Sequence, residues 1–408
     1  MNQLRLYQND VYQDSNEAEV LEILSKDGFD VLVTDQSVFF PEGGGQPSDC
    51  GYVERGDDVY AITTCYDEDL DGPVYHVTNA PAGTFAVGDK LNLAIDWDVR
   101  FTNMQRHLGE HMLSGAFHNL FGGINRGFHM GETYITIDIE REGGLLTQEE
   151  IDLAETMVNW NIWMDLPVTT TWFDTYEESR VMPVRKDVPH DGRVSVVTVG
   201  SLEEPFDCIA CCGTHPSSTA QVGLLTIYKH EPNKGMTRIY FDCGAMALRK
   251  LEEDANALTQ IANSRSCSNQ DLLARLEQED ARSSELRARL AACSSYIKEH
   301  EKAGLLDLIA NSDSVVSYSS ELLETNDLLK LGFDLVASLG PSQLLCLMDM
   351  QTSTLLLYSN GELACGDLVK KHIQAYNGKG GGRPDNARAS FASNKDMKNF
   401  VEFLKEIH

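Results

Sequence analysis

Hydrophobic and polar positions along the first 95 residues predict short strands. Runs of β-branched and aromatic residues are separated by clusters of glycine, aspartate and proline, which favour turns. The runs cover residues 31–34, 37–40, 59–63, 73–77 and 91–95. Strands of this length and spacing are typical of a barrel or a sandwich. We therefore predict a β-barrel-like N-terminal domain over residues 1–95.

Residues 96–245 combine helical and strand periods, which predicts an α+β domain. Apolar residues recur every four positions from Leu108 to Ala116, with Thr102 or Asn103 as a cap and Gly122 as a stop. Thr147 and Glu150 form a capping-box pattern that opens a second helix. Strictly alternating or continuous apolar runs predict strands at 133–139, 194–199, 224–228 and 237–241.

The second half of the chain predicts a helical segment and then a separate α/β domain. Leucines at helical spacing, interrupted at Ser264–Ser268, predict a helical hairpin or short coiled coil over residues 246–303. Residues 304–408 alternate strand and helix patterns. We thus predict an α+β protein in four parts, in which 246–303 is a spacer between the α+β domain and the C-terminal domain.

Charge and cysteine usage narrow the class of protein. The net charge is −30, so an RNA site would need a local positive patch on an acidic body. Solubility alone is an equally good explanation of the acidity. No apolar run reaches the roughly 18 residues that span a membrane, and the start does not resemble a signal peptide. The ten cysteines are mostly scattered, which fits reduced thiols in a cytoplasm. We predict a cytoplasmic protein without a membrane partner.

Two segments carry candidate metal ligands. His107 and His111 are four apart on the predicted helix, so both imidazoles lie on one face. Cys211 and His215 are also four apart. Three imidazoles and one thiolate suit Zn²⁺. Histidines at helical spacing are more often a surface or core pair, and only the Cys/His segment favours a metal by itself.

The surrounding residues exclude one familiar metal enzyme and leave the role of the ion open. Glu110 lies between the histidines, but a zinc protease of the HExxH type needs its glutamate directly after the first histidine. With four protein ligands the site would be closed and structural, whereas with three it would have an open position for water or substrate. The sequence predicts one Zn²⁺ per chain, bound by His107, His111, Cys211 and His215.

Four motifs together resemble one known family. They are HxxxH at 107–111, Cys-Cys-Gly-Thr-His at 211–215, Phe-Phe-Pro-Glu-Gly-Gly-Gly-Gln at 39–46, and Gly-Lys-Gly-Gly-Gly-Arg-Pro at 378–384. The first three are similar to the editing domain of alanyl-tRNA synthetase, and the fourth is similar to the glycine-rich motif of the DHHA1 domain. Their order and extent resemble the long form of the free-standing editing protein AlaX.

This resemblance implies a reaction and a set of site residues. The reaction is hydrolysis of the ester that joins a wrong amino acid, above all serine, to tRNA(Ala). The resemblance implies catalytic roles for His107, His111, Gln46 and His129, and substrate contacts at Gly43, Gly44, Gly45, Gln46 and Thr214. It also implies tRNA contacts at Lys379 and Arg383 in a glycine-rich loop, which could offer backbone N–H groups and two cations to phosphate.

Two residues depart from the family pattern, and the sequence is also compatible with other functions. Cys212 stands where a glycine is usual and Pro216 where a β-branched residue is common, so Cys208 or Cys212 could replace Cys211 as a ligand. A non-catalytic RNA-binding protein with a structural zinc is one alternative, and a fragment-like paralogue of alanyl-tRNA synthetase is another. A full synthetase is disfavoured because little room precedes the editing motifs, and a DHH phosphoesterase because an Asp-His-His triplet is missing. A homodimer could form through the helical or the C-terminal segment.

Overall fold

The computed structural model describes residues 3–69, 72–186 and 192–408. The chain divides into two compact units, Met1–Gln260 and Ile261–His408, and the boundary falls within a helix. Each unit has its own hydrophobic core. None of the described helices combines the length and the apolar composition that a membrane crossing requires.

A closed barrel forms the N-terminal part of the first unit, as predicted. Its region contains β1 (Leu4–Arg5), β2 (Ser15–Lys26), β3 (Phe29–Thr34), β4 (Gln36–Ser37), β5 (Gly51–Arg55), β6 (Asp58–Tyr66), β7 (Tyr75–Pro81) and β8 (Lys90–Ile95). Six of these described strands close in the order β2-β3-β7-β6-β5-β8, and β1 pairs with β4. The predicted strand at 37–40 is wrong beyond Ser37, because β4 ends there and residues 38–40 form an irregular segment in which Phe39 and Phe40 are buried.

An α+β region completes the first unit. It contains α1 (Trp97–Phe121), β9 (Ile124–Met130), β10 (Ile135–Glu140), α2 (Gln148–Trp163), β11 (Val168–Phe173), α3 (Tyr176–Ser179), β12 (Val194–Gly200), β13 (Pro205–Ala210), β14 (Leu225–Asn233) and β15 (Met236–Cys243). The described strands form the sheets β14-β15-β10-β9 and β11-β12-β13. The long helices α1 and α2 bury apolar faces against the strands in one core.

Helix α1 carries the two histidines and begins earlier than the sequence predicted. Its N-cap is Asp96, whose side chain accepts a hydrogen bond from the Val99 N–H at 3.2 Å, so the predicted caps Thr102 and Asn103 lie inside the helix. The predicted stop is confirmed, because Gly122 adopts the left-handed conformation after Phe121. The capping box of Thr147 and Glu150 at the start of α2 is confirmed as well.

Two long helices and a domain with a five-stranded sheet and three shorter helices make up the rest of the described chain. The elements are α4 (Gly244–Ser264), α5 (Leu272–Ala310), β16 (Val315–Ser320), α6 (Thr325–Leu335), β17 (Leu344–Asp349), β18 (Thr354–Tyr358), α7 (Cys365–His372), β19 (Gly378–Gly382), β20 (Asn386–Phe391) and α8 (Asn394–Ile407). The described strands are ordered β16-β17-β18-β20-β19. Helix α5 continues past residue 303, where we predicted the spacer to end, and Leu305 and Ile309 belong to the core of the second unit.

The glycine-rich segment of the second unit is a strand and not the predicted loop. Gly378–Gly382 forms the edge strand β19, paired antiparallel with β20. A Cβ at Gly380 would lie 2.4 Å from the Arg388 carbonyl oxygen, so glycine permits this close strand pairing. The N-terminus of α7 contacts the end of this segment, where the Gly366 N–H donates a hydrogen bond to the Arg383 carbonyl oxygen at 2.9 Å. Lys379 and Arg383 are at least partly exposed to solvent.

Candidate metal centre

The four predicted metal ligands lie together in the first unit. Helix α1 supplies His107 and His111, and the segment after β13 supplies Cys211 and His215. Their ligand atoms all lie within 4.8 Å of one another, and three of the four residues are buried. Cys211 Sγ is 3.4 Å from His107 Nε2 and 3.7 Å from His215 Nε2, while His111 Nε2 is 3.0 Å from His215 Nε2.

The three individual distances are close to those around a tetrahedral ion, whereas the widest separation of 4.8 Å exceeds them. Zn–N bonds of about 2.0–2.1 Å and a Zn–S bond of about 2.3 Å imply N–N edges of about 3.3 Å and N–S edges of about 3.6 Å. Two imidazole Nε2 atoms that face each other at 3.0 Å need a proton or a cation between them. Convergent nitrogen and sulfur donors are the chemistry that Zn²⁺ prefers, so the residues present fit this ion.

Gln46 fixes the ring of His107 from behind. Its Oε1 accepts a hydrogen bond from His107 Nδ1 at 2.8 Å, which leaves the lone pair on Nε2, facing the other ligands. The Gln46 side chain also donates to Thr214 Oγ1 at 2.8 Å and accepts from the Thr214 N–H at 3.1 Å. Gln46 and Thr214 are almost completely buried, on the side of His107 that faces away from the other candidate ligands. The arrangement is that of residues that orient a metal ligand.

Glu110 plays the corresponding part for His111. Its Oε2 lies 3.0 Å from His111 Nδ1, and its Oε1 accepts from Ser114 Oγ at 2.6 Å and from Asn125 Nδ2 at 2.8 Å. Burial acts to raise the pKa of Glu110, but the hydrogen bond and charge of His111 outweigh it and lower the pKa to about 2. The carboxylate therefore stays ionised and holds the imidazole in place.

A tight glycine turn packs against the ligands from the barrel side. The backbone N–H of Gln46 donates a hydrogen bond to the Gly43 carbonyl oxygen at 2.9 Å, and the Gly43 N–H donates to the Gln46 carbonyl oxygen at 3.1 Å. Gly44 and Gly45, between them, have φ of +60° and +81°. A Cβ at Gly45 would lie 2.5 Å from the Phe128 ring, which itself stacks on His107 with centroids 5.7 Å apart. Glycine is thus required here for both conformation and space.

Three of the four candidate ligands form the floor of a cavity of about 410 Å³. His107, His111 and Cys211 line it, with Gly44 at one edge. The remaining described lining residues are Glu110, Asn125, Arg126, Gly127, Phe128, Arg185, Lys186, Arg193, Val194, Ser195, Ile209, Ala210 and Cys212. His215 is buried behind this floor, so the face of the ligand set formed by the other three opens on the cavity.

The structure does not bring His129 to this cavity. Successive side chains of a strand point to opposite faces, and in β9 the Phe128 side chain lines the cavity while His129 is exposed. Sequence reasoning also missed residues that the fold brings there, among them Arg185 and Arg193. They come from segments with no motif, so no sequence signal placed them near the ligands. Glu110 carried a signal, since it directly precedes His111.

Three family models match parts of the chain. Residues 6–99 match the model described as tRNA synthetases class II (A). Residues 194–240 match the threonyl and alanyl tRNA synthetase second additional domain, which here includes β12, β13 and the Cys211 segment. Residues 350–408 match the DHHA1 domain, which confirms the predicted C-terminal DHHA1 domain.

Similar proteins agree with these matches. The alanyl-tRNA editing protein AlaX-L of Pyrococcus horikoshii is 27% identical over 390 residues, which is 94% of this chain and 93% of that protein. The chain resembles the long-form AlaX proteins along nearly its whole length. Alanine–tRNA ligases of Streptococcus mutans and Pyrococcus abyssi are 26% and 27% identical over 92% and 98% of the chain. The chain spans only 44% and 43% of those ligases.

Despite the departure from the AlaX pattern at Cys212, Cys211 is the better candidate ligand of the three nearby cysteines. Burial acts to raise the pKa of Cys211, but three nearby imidazoles lower it well below its usual value, towards the thiolate that binds metal. Burial and the Cys211 charge raise the pKa of Cys212 to about 11. Cys208 contacts Thr198 in a different cluster of side chains. The geometry thus favours Cys211 over both alternatives.

Proposed function

We propose that this chain hydrolyses the ester bond of mischarged tRNA(Ala), with seryl-tRNA(Ala) as the preferred substrate, at a zinc-containing site. The observation that carries the proposal is the convergence of four candidate metal ligands, three of which line the floor of an open cavity. A volume of about 410 Å³ is within the range of small-ligand sites, which suits an aminoacylated terminal nucleotide. AlaX-L, similar over 94% of the chain, is named as an alanyl-tRNA editing protein.

The proposed reaction needs water, an oriented ester and a leaving hydroxyl. The water oxygen adds to the ester carbonyl carbon, the bond to the ribose oxygen breaks, and that oxygen takes up a proton, which gives the free amino acid and tRNA. When bound, Zn²⁺ supplies a Lewis acid for the carbonyl or lowers the pKa of a water to near 7. The chain's own contribution is to hold the histidines through Gln46 and Glu110.

Serine is the expected amino acid for a physical reason. A synthetase pocket built for a small side chain cannot strongly reject an analogue that adds one hydroxyl, so a second site must remove the wrong product. That second site can favour serine by hydrogen bonding its hydroxyl. Alanine would leave the partner group unpaired, which costs about 1–3 kcal/mol.

Deacylation of seryl-tRNA(Ala) and alanyl-tRNA(Ala), with and without a chelator, tests the proposal. We expect the seryl ester to be cleaved roughly 5- to 150-fold faster, because this range corresponds to about 1–3 kcal/mol. Chelation should remove the activity, and added Zn²⁺ should restore it. Equal hydrolysis of both esters would contradict the serine preference, and hydrolysis by the metal-free protein would contradict the zinc site.

A second function is favoured by the number of protein ligands. Four donors complete a tetrahedron, which is typical of a structural zinc, and such a protein would bind RNA without cleaving an ester. Against this reading, three of the four ligands face the cavity, and zinc can expand to five-coordination. The deacylation assay separates the two functions, since a structural site predicts one zinc per chain and tRNA binding without hydrolysis.

Gly44→Val is expected to slow deacylation without unfolding the protein. Its Cβ would lie 3.3 Å from Cys212 Sγ and 3.9 Å from His107 Cε1, at a backbone φ of +60° that disfavours a branched residue. The matched control is Gly56→Val, which has a φ of +61° but no heavy atom within 4 Å of its Cβ. Rates and tryptophan fluorescence of both variants give the measurement. Equal activity of the two variants would mean that the glycine turn is not a wall of the site.

We assign tRNA affinity partly to the C-terminal domain, through Lys379 and Arg383. Both cations reach solvent at the edge strand β19 or directly after it. Replacing both by glutamine should weaken tRNA binding and flatten its salt dependence by about one unit of slope for each phosphate that is no longer neutralised. Lys395→Gln with Lys398→Gln removes the same charge from helix α8 and serves as the control. Equal slopes for the two double variants would contradict a specific role of Lys379 and Arg383 in tRNA binding.

A further inference from the structure

The wall of the cavity above the metal ligands concentrates positive charge in an acidic chain. The chain has 63 acidic and 33 basic residues, yet Arg126, Arg185, Lys186 and Arg193 all line this cavity. Among the described lining residues Glu110 is the sole carboxylate, and its charge is directed at His111 on the floor. Cations gathered around a concave site focus a positive potential that attracts anions.

We propose that these four cations, the cationic wall, bind phosphodiester groups of the RNA strand whose terminal ester lies at the metal centre. The proposal rests on the proposed function, because it places an RNA end in this cavity. It assigns a phosphate subsite within the first unit, apart from the Lys379 and Arg383 contacts in the second. Its ligand class is a single-stranded RNA backbone, recognised by charge and hydrogen bonds and without base readout.

Arg185 is the best fixed member of the cationic wall. Its Nε donates to Asp207 Oδ1 at 2.6 Å, and the side chains of Arg185 and Asp207 are only 10% and 1% exposed. Its backbone N–H also donates to the Cys208 carbonyl oxygen at 2.9 Å, so the residue is tied to the strand that leads to Cys211. Because Asp207 takes the Nε edge, the two terminal NH₂ groups are the donors left for a phosphate.

Contacts also orient the other two arginines of the cationic wall. Arg126 Nε donates to Glu140 at 2.8 Å across the strand pair β9 and β10, and its side chain is 47% exposed. The Arg193 guanidinium lies 4.8 Å above the Trp172 ring. Arginines that are already oriented lose less side-chain freedom when a phosphate binds, which favours binding. The three arginines of the cationic wall are therefore already oriented, and Lys186 adds a fourth cation beside them.

Two substrates that share one ester test the cationic wall. Seryl-tRNA(Ala) carries the phosphates, whereas 3′-O-seryl-adenosine has the same ester and ribose without any phosphate. For full-length Arg185→Gln we expect kcat/KM on the tRNA to fall about 10-fold or more, because a charge-assisted hydrogen bond is removed. On seryl-adenosine the variant should stay within about twofold of the unaltered protein. Lys234→Gln, which removes one exposed charge at the turn between β14 and β15, should match the unaltered protein on both.

A second variant keeps the test decisive if the first does not fold. Arg185→Gln leaves the buried Asp207 carboxylate without its cation, which can destabilise the protein. Arg193 instead packs on the Trp172 ring, so Arg193→Gln removes the charge together with a cation–π contact. Its loss of kcat/KM should be confined to the tRNA and amount to about threefold to 10-fold. An equal loss on both substrates would overturn the proposal, because it would mean that the arginines support the metal centre or the fold.

A measurement of RNA affinity distinguishes a failure of this proposal from a failure of the proposed function. If the unaltered protein cleaves neither ester, the proposed function fails. The cationic wall is then judged by the affinity of a short single-stranded RNA at two salt concentrations. Arg193→Gln should flatten the salt dependence by about 0.7 units of slope, the value for one phosphate on a single strand. An unchanged slope and affinity would overturn the cationic wall whatever the esterase assay gives.

Discussion

Replacement of His107 by alanine should release most of the bound zinc and lower deacylation at least about 100-fold. His107 is one of the four candidate ligands, and even the removal of a group that only orients a ligand typically costs 10- to 100-fold in metal affinity or activity. In the unaltered protein the His107 ring also stacks on Phe128 and forms a hydrogen bond with Gln46. The variant lacks both contacts, so its glycine turn is no longer held against the site. Metal content per chain and deacylation rate are the two measurements.

His118→Ala is the matched control for this variant. His118 lies on the same helix and is only half-buried near its C-terminal end. It should retain one zinc per chain and full activity. Retention of both properties by His107→Ala would reject the assignment of His107 as a ligand.

Arg100→Leu should destabilise the first unit by about 3–5 kcal/mol, because it leaves a buried carboxylate unpaired. Arg100 and Asp49 are both inaccessible to solvent and form a salt bridge between α1 and the barrel. The guanidinium also donates to the Val38 carbonyl at 2.7 Å, and Asp49 accepts from the Phe40 N–H at 2.7 Å. The pair thereby fixes both ends of the segment that contains the glycine turn.

Denaturant unfolding followed by tryptophan fluorescence measures this effect. The four tryptophans of the chain, at 97, 160, 163 and 172, all lie in the first unit, so the signal reports its unfolding. Arg100→Leu with Asp49→Leu should recover much of the lost stability, since it removes the unpaired charge. Arg180→Leu breaks an exposed pair with Glu177 and should leave the midpoint unchanged. A single variant as stable as the double would contradict a cost that arises from the unpaired charge.

The two pairs of candidate metal ligands could be found in the sequence because each pair is local. A spacing of four on a helix places His107 and His111 on one face whatever the rest of the chain does. The same locality made the capping box of α2 and the stop of α1 readable. The meeting of the two pairs is a tertiary event, and it was inferred from the order of motifs in a related family.

Other features depend on partners that are distant in sequence. The family resemblance predicted a substrate contact at Gln46, whereas its hydrogen bond to His107 joins residues 61 positions apart and has no local sequence signal. The segment at 378–382 was predicted as a loop, yet pairing with β20 makes it a strand whose glycines allow backbone approach. The cationic wall combines four residues from three segments, none with a motif of its own.

Helix α1 makes a contact at nearly every turn between Arg100 and Ser114. Arg100 reaches the barrel, Arg106 pairs with Asp242 on β15, and His107 and His111 face the ligand cluster. An inserted residue would rotate everything beyond it by about 100° around the helix axis. Arg100 could then no longer reach the barrel while His107 and His111 face the ligand cluster. This stretch of the chain is therefore constrained in length as strictly as in composition, and insertions or deletions are tolerated only outside it.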